Sequence, residues 1–207
     1  MPQCAILLFD GFDELDALAP YEVLRRAEEA GAQFSVSLVS LVSREGAREV
    51  TAFYGARIQA EAALTLEARP DILIVPGGGW NHRGQHGVRV EVERGEAPQL
   101  IAQLHAAGTI IAGVCTGAML LAAAGLMKER PATTHTLARE ELRAMGAEVY
   151  DARVVDDGDV LTSAGVTSGL DLALWLVERF ASPALAHAVE RRLEYERRGV
   201  VWRRPTS

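Results

Sequence analysis

Two hydrophobic periods alternate along this chain. Residues 4–9 form a continuous apolar run, Cys4-Ala5-Ile6-Leu7-Leu8-Phe9, which predicts a parallel strand buried on both faces. Asp10-Gly11 is a turn signal. Over residues 14–30, Leu15, Leu18, Val23, Leu24 and Ala27 recur at helical spacing, and Gly31 follows as a stop. Pro20 is expected to kink this helix or to start a second segment. Residues 34–42 are strand-like, and 57–62 alternate more weakly, as an edge strand does. Residues 71–75 are a short apolar run that ends in Pro76-Gly77-Gly78-Gly79. The polar, glycine-rich stretch 80–96 reads as a surface loop. A helix over 97–107 stops at Gly108. A strand over 109–114 leads into a helix over 116–124, closed by Gly125. A further helix spans 140–145. Strands over 149–155 and 160–163 are joined by Asp156-Asp157-Gly158-Asp159, a hairpin turn. Helices over 167–180, capped by Thr167 or Ser168, and over 183–197 follow. The tail, 199–207, is basic and carries Trp202.

Strands alternating with helices predict a single α/β domain with a mainly parallel sheet sandwiched by helices. The 207 residues suit one such domain, with a core over about 4–195 and no repeat, low-complexity tract or linker. A chain that is 49% hydrophobic and 24% charged is neither disordered, collagenous nor a coiled coil. Its net charge of −7, with no basic stripe, argues against nucleic acid as a partner. The start of the chain has no basic region of the kind that opens a signal peptide. The apolar stretch 109–127 is interrupted by Gly113, Gly117 and Gly125, which suits a strand and helix better than a membrane span. The two cysteines, Cys4 and Cys115, lie too far apart for a disulfide scaffold or a metal knuckle, and a reducing, cytoplasmic setting is expected. No paired-histidine motif is present, so neither a metal site nor a cofactor is expected.

The strongest local signal for chemistry is Ile110-Ile111-Ala112-Gly113-Val114-Cys115-Thr116-Gly117-Ala118. A buried strand runs into a cysteine and a helix of small residues starts at once. This is the pattern of a nucleophile elbow, with Gly113 and Gly117 removing side chains that would crowd the turn. The helix start favours a thiolate, so the pKa of Cys115 is expected below the ~8.5 of a free thiol. The same local pattern also fits a small buried hydrophobe. Pro76-Gly77-Gly78-Gly79 ends another strand and can bring backbone N–H groups to an oxyanion, or can be a flexible turn. No Gly-Lys-Ser/Thr follows it, so it is not a phosphate loop. Asp16, between Leu15 and Leu18, fits a partly buried carboxyl with a raised pKa that holds or passes a proton, and equally an exposed first-turn acid. Asp10, Asp13, Glu14 and Glu22 compete with it for that role. His135 can orient a group at the site, although a hydrogen-bonded structural histidine is the commoner outcome for such a residue. His82 and His86 read as surface residues, and His105 and His187 fall in helices with no assigned role.

Together these residues carry a resemblance. Phe9-Asp10-Gly11, then Leu15-Asp16 with Pro20-Tyr21-Glu22-Val23, resemble the opening of the ThiJ/PfpI superfamily, whose fold is flavodoxin-like, of the class I glutamine amidotransferase type. Val75-Pro76-Gly77-Gly78 and Gly113-Val114-Cys115-Thr116-Gly117-Ala118 match its next motifs. Leu126, Arg130-Pro131-Ala132-Thr133-Thr134-His135, Ser163-Ala164-Gly165-Val166 and Gly169-Leu170-Asp171-Leu172-Ala173-Leu174 match its later ones. The resemblance runs from Ala5 to about Tyr195. It is nearest to the isonitrile hydratase branch, and is similar to the ligand-sensing half of certain AraC-type activators without their helix-turn-helix half.

The resemblance implies that Cys115 is a nucleophile and that Asp16 shares a proton with it. It implies that Thr116, Gly78 and Gly79 contact the reacting group, with His135 a candidate behind them. It also implies a homodimer that acts on a small molecule, adding water to an isonitrile to give an N-substituted formamide. Thr116 stands where the protease-like members place a histidine, so peptide hydrolysis is not expected. Two further readings stay open. One is a glyoxalase-like hydration of methylglyoxal, with Asp16 or His135 as the shuttle. The other is a non-catalytic ligand-binding or redox-sensing module, with Cys115 oxidised to a sulfinate held by Asp16. The roles of Trp80, His82 and Arg83 are left open.

Overall fold

The structure, a computed structural model, describes residues 2–41, 48–82 and 84–204. Arg83, residue 42 of the second expected strand, and 205–207 of the tail lie outside the described residues.

The first strand, β1 (Gln3–Leu8), is the expected apolar run and is buried from Cys4 onward. It leads into α1 (Glu14–Glu29), whose Asp13 cap accepts from the Leu15 N–H at 3.1 Å. Pro20 lies inside this helix rather than dividing it. Its ring is buried at the point where Gly169 lets another helix come close. Then come β2 (Ser35–Ser40), β3 (Glu49–Thr51), β4 (Arg57–Gln59), β5 (Ala62–Ala63) and β6 (Ile72–Val75). Strands β3 and β4 form a separate antiparallel hairpin, so of the expected edge strand only β5 joins the main sheet.

The stretch 80–96 is not all loop. It carries α2 (Val88–Arg94), bounded by Gly87 and Gly95, and the head of α3 (Glu96–Ala106). Only Val88 and Val92 carry the apolar face of α2, too few positions to display a period. Next are β7 (Ile110–Val114), α4 (Gly117–Ala123), β8 (Pro131–Ala132), a 3-10 turn (Thr136–Ala138) and α5 (Arg139–Ala144).

The single strand expected over 149–155 is divided. Its start, β9 (Glu148–Val149), pairs with β8 in a small sheet, and β10 (Val154–Asp156) belongs to the large one. The residues between are polar, with Asp151 bound to Arg139 and Arg153 to Asp171. Then β11 (Val160–Ser163) returns antiparallel to β10 across the expected turn, closed by Asp157 N–H donating to Val160 O at 3.0 Å. Helix α6 (Ser168–Phe180) starts without a side-chain cap, and Thr167 Oγ1 accepts instead from Arg153. Helix α7 (Pro183–Leu193), capped by Ser182, ends at Glu194 in the left-handed region, short of the expected residue 197. Within the tail, β12 (Trp202–Arg203) pairs with β10.

The main sheet has eight strands in the order β12-β10-β11-β7-β6-β1-β2-β5, and only β10 and β12 oppose the rest. Helices α1, α6 and α7 pack together on one face, and α2, α3 and α4 on the other. This is a single α/β domain with a mainly parallel sheet between helical layers. Its core strands are buried on both faces, as their unbroken apolar runs require. Among the described residues no helix is long and apolar enough to cross a membrane. The four neighbours β11, β7, β6 and β1 run parallel, so their carboxyl ends open at one edge, where sheets of this kind bind ligands.

Candidate active site

That edge is where the residues singled out in the sequence meet. Cys115 directly follows β7 and has φ +55°, in the left-handed region. Such a conformation costs a non-glycine residue about 1–3 kcal/mol and persists only when its surroundings fix it. Here the Cys115 N–H donates to Ser163 O (3.2 Å) and Ala164 O (3.1 Å), and its carbonyl accepts from Thr134 Oγ1 (2.7 Å). The turn is possible because two neighbours lack side chains. A Cβ on Gly117 would lie 2.1 Å from Val75 O, and one on Gly113 would lie 3.1 Å from Ala118 N.

Asp16, in the first turn of α1, is fully buried. Its Oδ2 accepts from the Gly77 N–H at 3.0 Å, while buried Oδ1 has no nitrogen or oxygen partner. Burial pushes the carboxyl up to about 8, helped by the nearby charge of Asp13 and partly opposed by the Gly77 N–H and the Cys115 thiol. The Cys115 thiol is also pushed up, first by burial and then by the Asp16 charge. The backbone N–H groups of Val166 and Thr116, directed at the sulfur, oppose this only in part. A thiol below its ordinary range was expected from the helix start. Helix α4 is seven residues long, and its field does not outweigh desolvation. At neutral pH the two groups therefore form an uncharged pair that titrates as a unit.

The Pro76-Gly77-Gly78-Gly79 segment is not a flexible turn. Gly77 N–H holds Asp16, Gly78 N–H donates to Thr116 Oγ1 (3.0 Å), Gly77 O accepts from Asp13 N (2.9 Å), and Gly78 O accepts from Val88 N (2.8 Å). The Gly78 N–H is thus taken up by Thr116 and is not an open donor. Gly77, which was expected only as part of this segment and not as a site residue in its own right, is wedged between the threonine and the acid. A Cβ there would lie 2.5 Å from Thr116 Oγ1 and 2.9 Å from Asp16 Oδ2. Its place directly before Gly78, at a strand end, was the available signal.

Cys115, Thr116, Gly78, Gly79 and His135 line one cavity of about 270 Å³. Asp13, Phe53, Tyr54, Trp80, Leu137 and Val166 complete most of its wall. His82, expected on the surface, is exposed and also borders this cavity. His135 Nδ1 accepts from the Leu137 N–H (3.2 Å), capping the 3-10 turn. Burial lowers the His135 pKa, with the Asp13 charge opposing, so the ring is neutral at pH 7. Its role in the fold is a cap, and its other edge faces the cavity region beside Gly165. Of the four competing carboxylates, Asp13 stays at the site: it lines the cavity while its Oδ1 accepts from the Leu15 N–H, and the other three are engaged elsewhere. Asp10 binds Arg48 (2.8 Å), Glu22 binds Arg26 (2.6 Å), and Glu14 holds the hairpin tip. A larger cavity, about 440 Å³, lies under the C-terminal segment. Its buried carboxylate, Asp171, is already bound by Arg153, Tyr195 and the Arg198 N–H.

The fold and site define an α/β domain with a strained cysteine between a central strand and a helix, and a protonatable buried acid beside it. The chain belongs to the DJ-1/PfpI family, whose sequence model matches residues 2–179. It is 32% identical over 196 residues to an isonitrile hydratase of Pseudomonas putida, covering 93% of this chain and 78% of that one. It is 30% identical over 176 residues to a deglycase of Thermococcus kodakarensis, covering 84% of this chain and 94% of that one. Among solved structures, a ThiJ/PfpI family protein from Pseudomonas syringae superposes with a TM-score of 0.82 at 28% identity, covering 96% of this chain and 76% of that one.

Proposed function

We propose that the protein is a cysteine-dependent enzyme that hydrates an isonitrile to an N-substituted formamide. The observation that carries this reading is the geometry: Cys115 lines a small, largely apolar cavity, and the fully buried Asp16 lies behind it, held by the Gly77 N–H with one oxygen left without a nitrogen or oxygen partner. The likeness to an isonitrile hydratase over most of the chain supports the same reaction.

An isonitrile needs both a nucleophile and a proton at one carbon, and a neutral acid–thiol pair supplies both. The Cys115 sulfur bonds to the terminal carbon of R–N≡C while Asp16 gives that carbon its proton and takes the thiol proton. The product is the thioimidate R–N=CH–S–Cys115. Water then adds to the same carbon, and Asp16 passes a water proton to nitrogen. The resulting R–NH–CH(OH)–S–Cys115 collapses as the C–S bond breaks and the hydroxyl proton returns to sulfur. The sum is R–NC plus water giving R–NH–CHO, with the pair restored. The N–H groups of Thr116 and Val166 favour negative charge on sulfur as the bond forms and breaks. Asp13 raises the Asp16 pKa further and so helps to keep the proton in place at neutral pH.

The test is product analysis with cyclohexyl isocyanide. Wild type should yield N-cyclohexylformamide, Cys115→Ala none, and Asp16→Asn at least ~100-fold less. Full turnover by Cys115→Ala would exclude covalent catalysis. A second reading, carbonyl chemistry at the same pair, draws on the likeness to the deglycase. Lactate from methylglyoxal, with no formamide from the isocyanide, would select it.

A further inference from the structure

The β3–β4 hairpin reaches from its own two-stranded sheet to the mouth of the Cys115 cavity. Its backbone is fixed there at five points, one of them the Thr51 N–H donating to Asp10 Oδ1 (3.0 Å). Gly11 N–H donates to Thr51 O (2.8 Å), and Phe53 N–H to Phe12 O (2.8 Å). The N–H groups of Tyr54 and Ala56 both donate to Glu14 Oε1, at 2.9 and 3.3 Å. The side chains at the tip are treated differently. Phe53 is 38% exposed and Tyr54 81% exposed, although both rings border the cavity. They meet edge to face, 5.0 Å apart at 88°, and Phe53 also lies 5.4 Å from the His82 ring across the mouth. A pinned backbone that holds bare aromatic rings at the mouth of the Cys115 cavity gains little for the fold from those rings. It does offer a preset apolar wall with little ordering cost on binding.

We propose that Phe53 and Tyr54 are specificity-determining residues. They receive the apolar, preferentially aromatic, substituent of a substrate whose reacting atom sits at Cys115, and Glu14 is the positioning residue that fixes this wall. The inference rests on the reading that Cys115 reacts with a bound small molecule, but not on isonitrile hydration in particular. Glu14 and Asp16 are two residues apart in the first turn of α1 and so point to roughly opposite sides, Asp16 to Gly77 and Glu14 to the hairpin tip.

The experiment uses two reagents with one reactive group, 2-iodoacetamide and 2-iodo-N-phenylacetamide. Alkylation of Cys115 is followed by peptide mass, which separates it from Cys4, and each rate is divided by that for free N-acetylcysteine. Wild type should favour the phenyl reagent. A single aromatic contact supports a preference of roughly two- to tenfold. Phe53→Ala with Tyr54→Ala should lower the ratio of the N-phenyl to the unsubstituted reagent by that factor, as should Glu14→Ala. Glu14→Gln, which keeps the Oε1 acceptor, should restore the ratio, which a merely structural loss would not do. With aryl isocyanides as substrates, the double variant should raise KM and leave kcat within about twofold. An unchanged ratio in the double variant, with Cys115 still reacting, overturns the proposal. It would assign the rings to another surface, such as a second copy of the chain. Should the protonated Cys115 thiol react with neither reagent, the aryl isocyanides decide: an unchanged KM in the double variant overturns the proposal, and no turnover by wild type overturns the reading on which it rests.

Discussion

Asp16 pays for its position: the folded protein keeps on this carboxyl a proton that the unfolded chain has already released. The unfolded group titrates near ~4, and the folded one up to about 8. Folded-state proton binding therefore exceeds unfolded binding across that window, and stability falls as pH rises through it. Below the window the burden is absent, and above it the burden is complete. Asp16→Asn removes it while leaving an oxygen to accept from Gly77. The variant should match wild type near pH 4 and be more stable by roughly 2–4 kcal/mol at pH 8, less any native-state relaxation. Denaturant midpoints at those two pH values check this, and equal midpoints at pH 8 would refute it. A stabilised but inactive variant would mark the residue as one kept for chemistry. In the sequence Asp16 was visible as an acid among leucines, but the pattern fitted an exposed first-turn acid equally well. Only its meeting with Cys115 separates the two, and residues 99 positions apart carry no local sign of contact.

At the scale of elements, the cysteine turn was legible because its requirements are local. A buried strand, a strained residue and a helix packed under a neighbouring strand demand glycine at two fixed places, and Gly113 and Gly117 stand there. The demand at Gly117 is severe, since its Cβ would meet Val75 O at 2.1 Å. Gly117→Ala should cost about 3 kcal/mol or more, mostly through displacement of α4 from β6. Gly31→Ala, where nothing lies within 4 Å, should cost only the ~1–2 kcal/mol of its left-handed backbone. Thermal unfolding of the two variants side by side tests the difference. Short elements were not legible for the opposite reason. Helix α2 has two apolar positions on its inner face, and β9 is two residues long. Both exist because neighbours provide partners, which a single-chain period cannot display.

For the whole molecule, the alternation of strand and helix announced the layers, but not which strands are neighbours. That order matters, because β6 lies between β1 and β7 and its end spans the gap between acid and thiol. At the β12 edge of the sheet the C-terminal segment is held by Asp171, which binds Arg153 Nε (2.6 Å), Tyr195 OH (3.1 Å) and Arg198 N–H (3.0 Å). Arg153→Met leaves a buried carboxylate without its cation. It should destabilise the protein by about 3 kcal/mol and loosen β12 from β10. Hydrogen exchange at Trp202 and Arg203 should rise, while Cys115 alkylation should hold its wild-type rate. A loss of thiol reactivity in this variant would show that the two ends of the sheet are coupled. This anchor, too, was hidden in the sequence, where Asp171 stood in a helix and in a motif of the resemblance but had no visible partner.

The consecutive amides of Gly77 and Gly78 have an evolutionary consequence. One clasps the acid and the next clasps the residue after the thiol, so a short backbone segment sets the spacing of the two groups. The rest of the cavity wall comes from elsewhere: the hairpin tip, the loop at His82 and the turn after His135. A lineage built on this frame can exchange those loops and acquire new substrates while its acid and thiol keep their distance. Reaction type and substrate range are thus inherited on separate parts of the chain, and can diverge at separate rates.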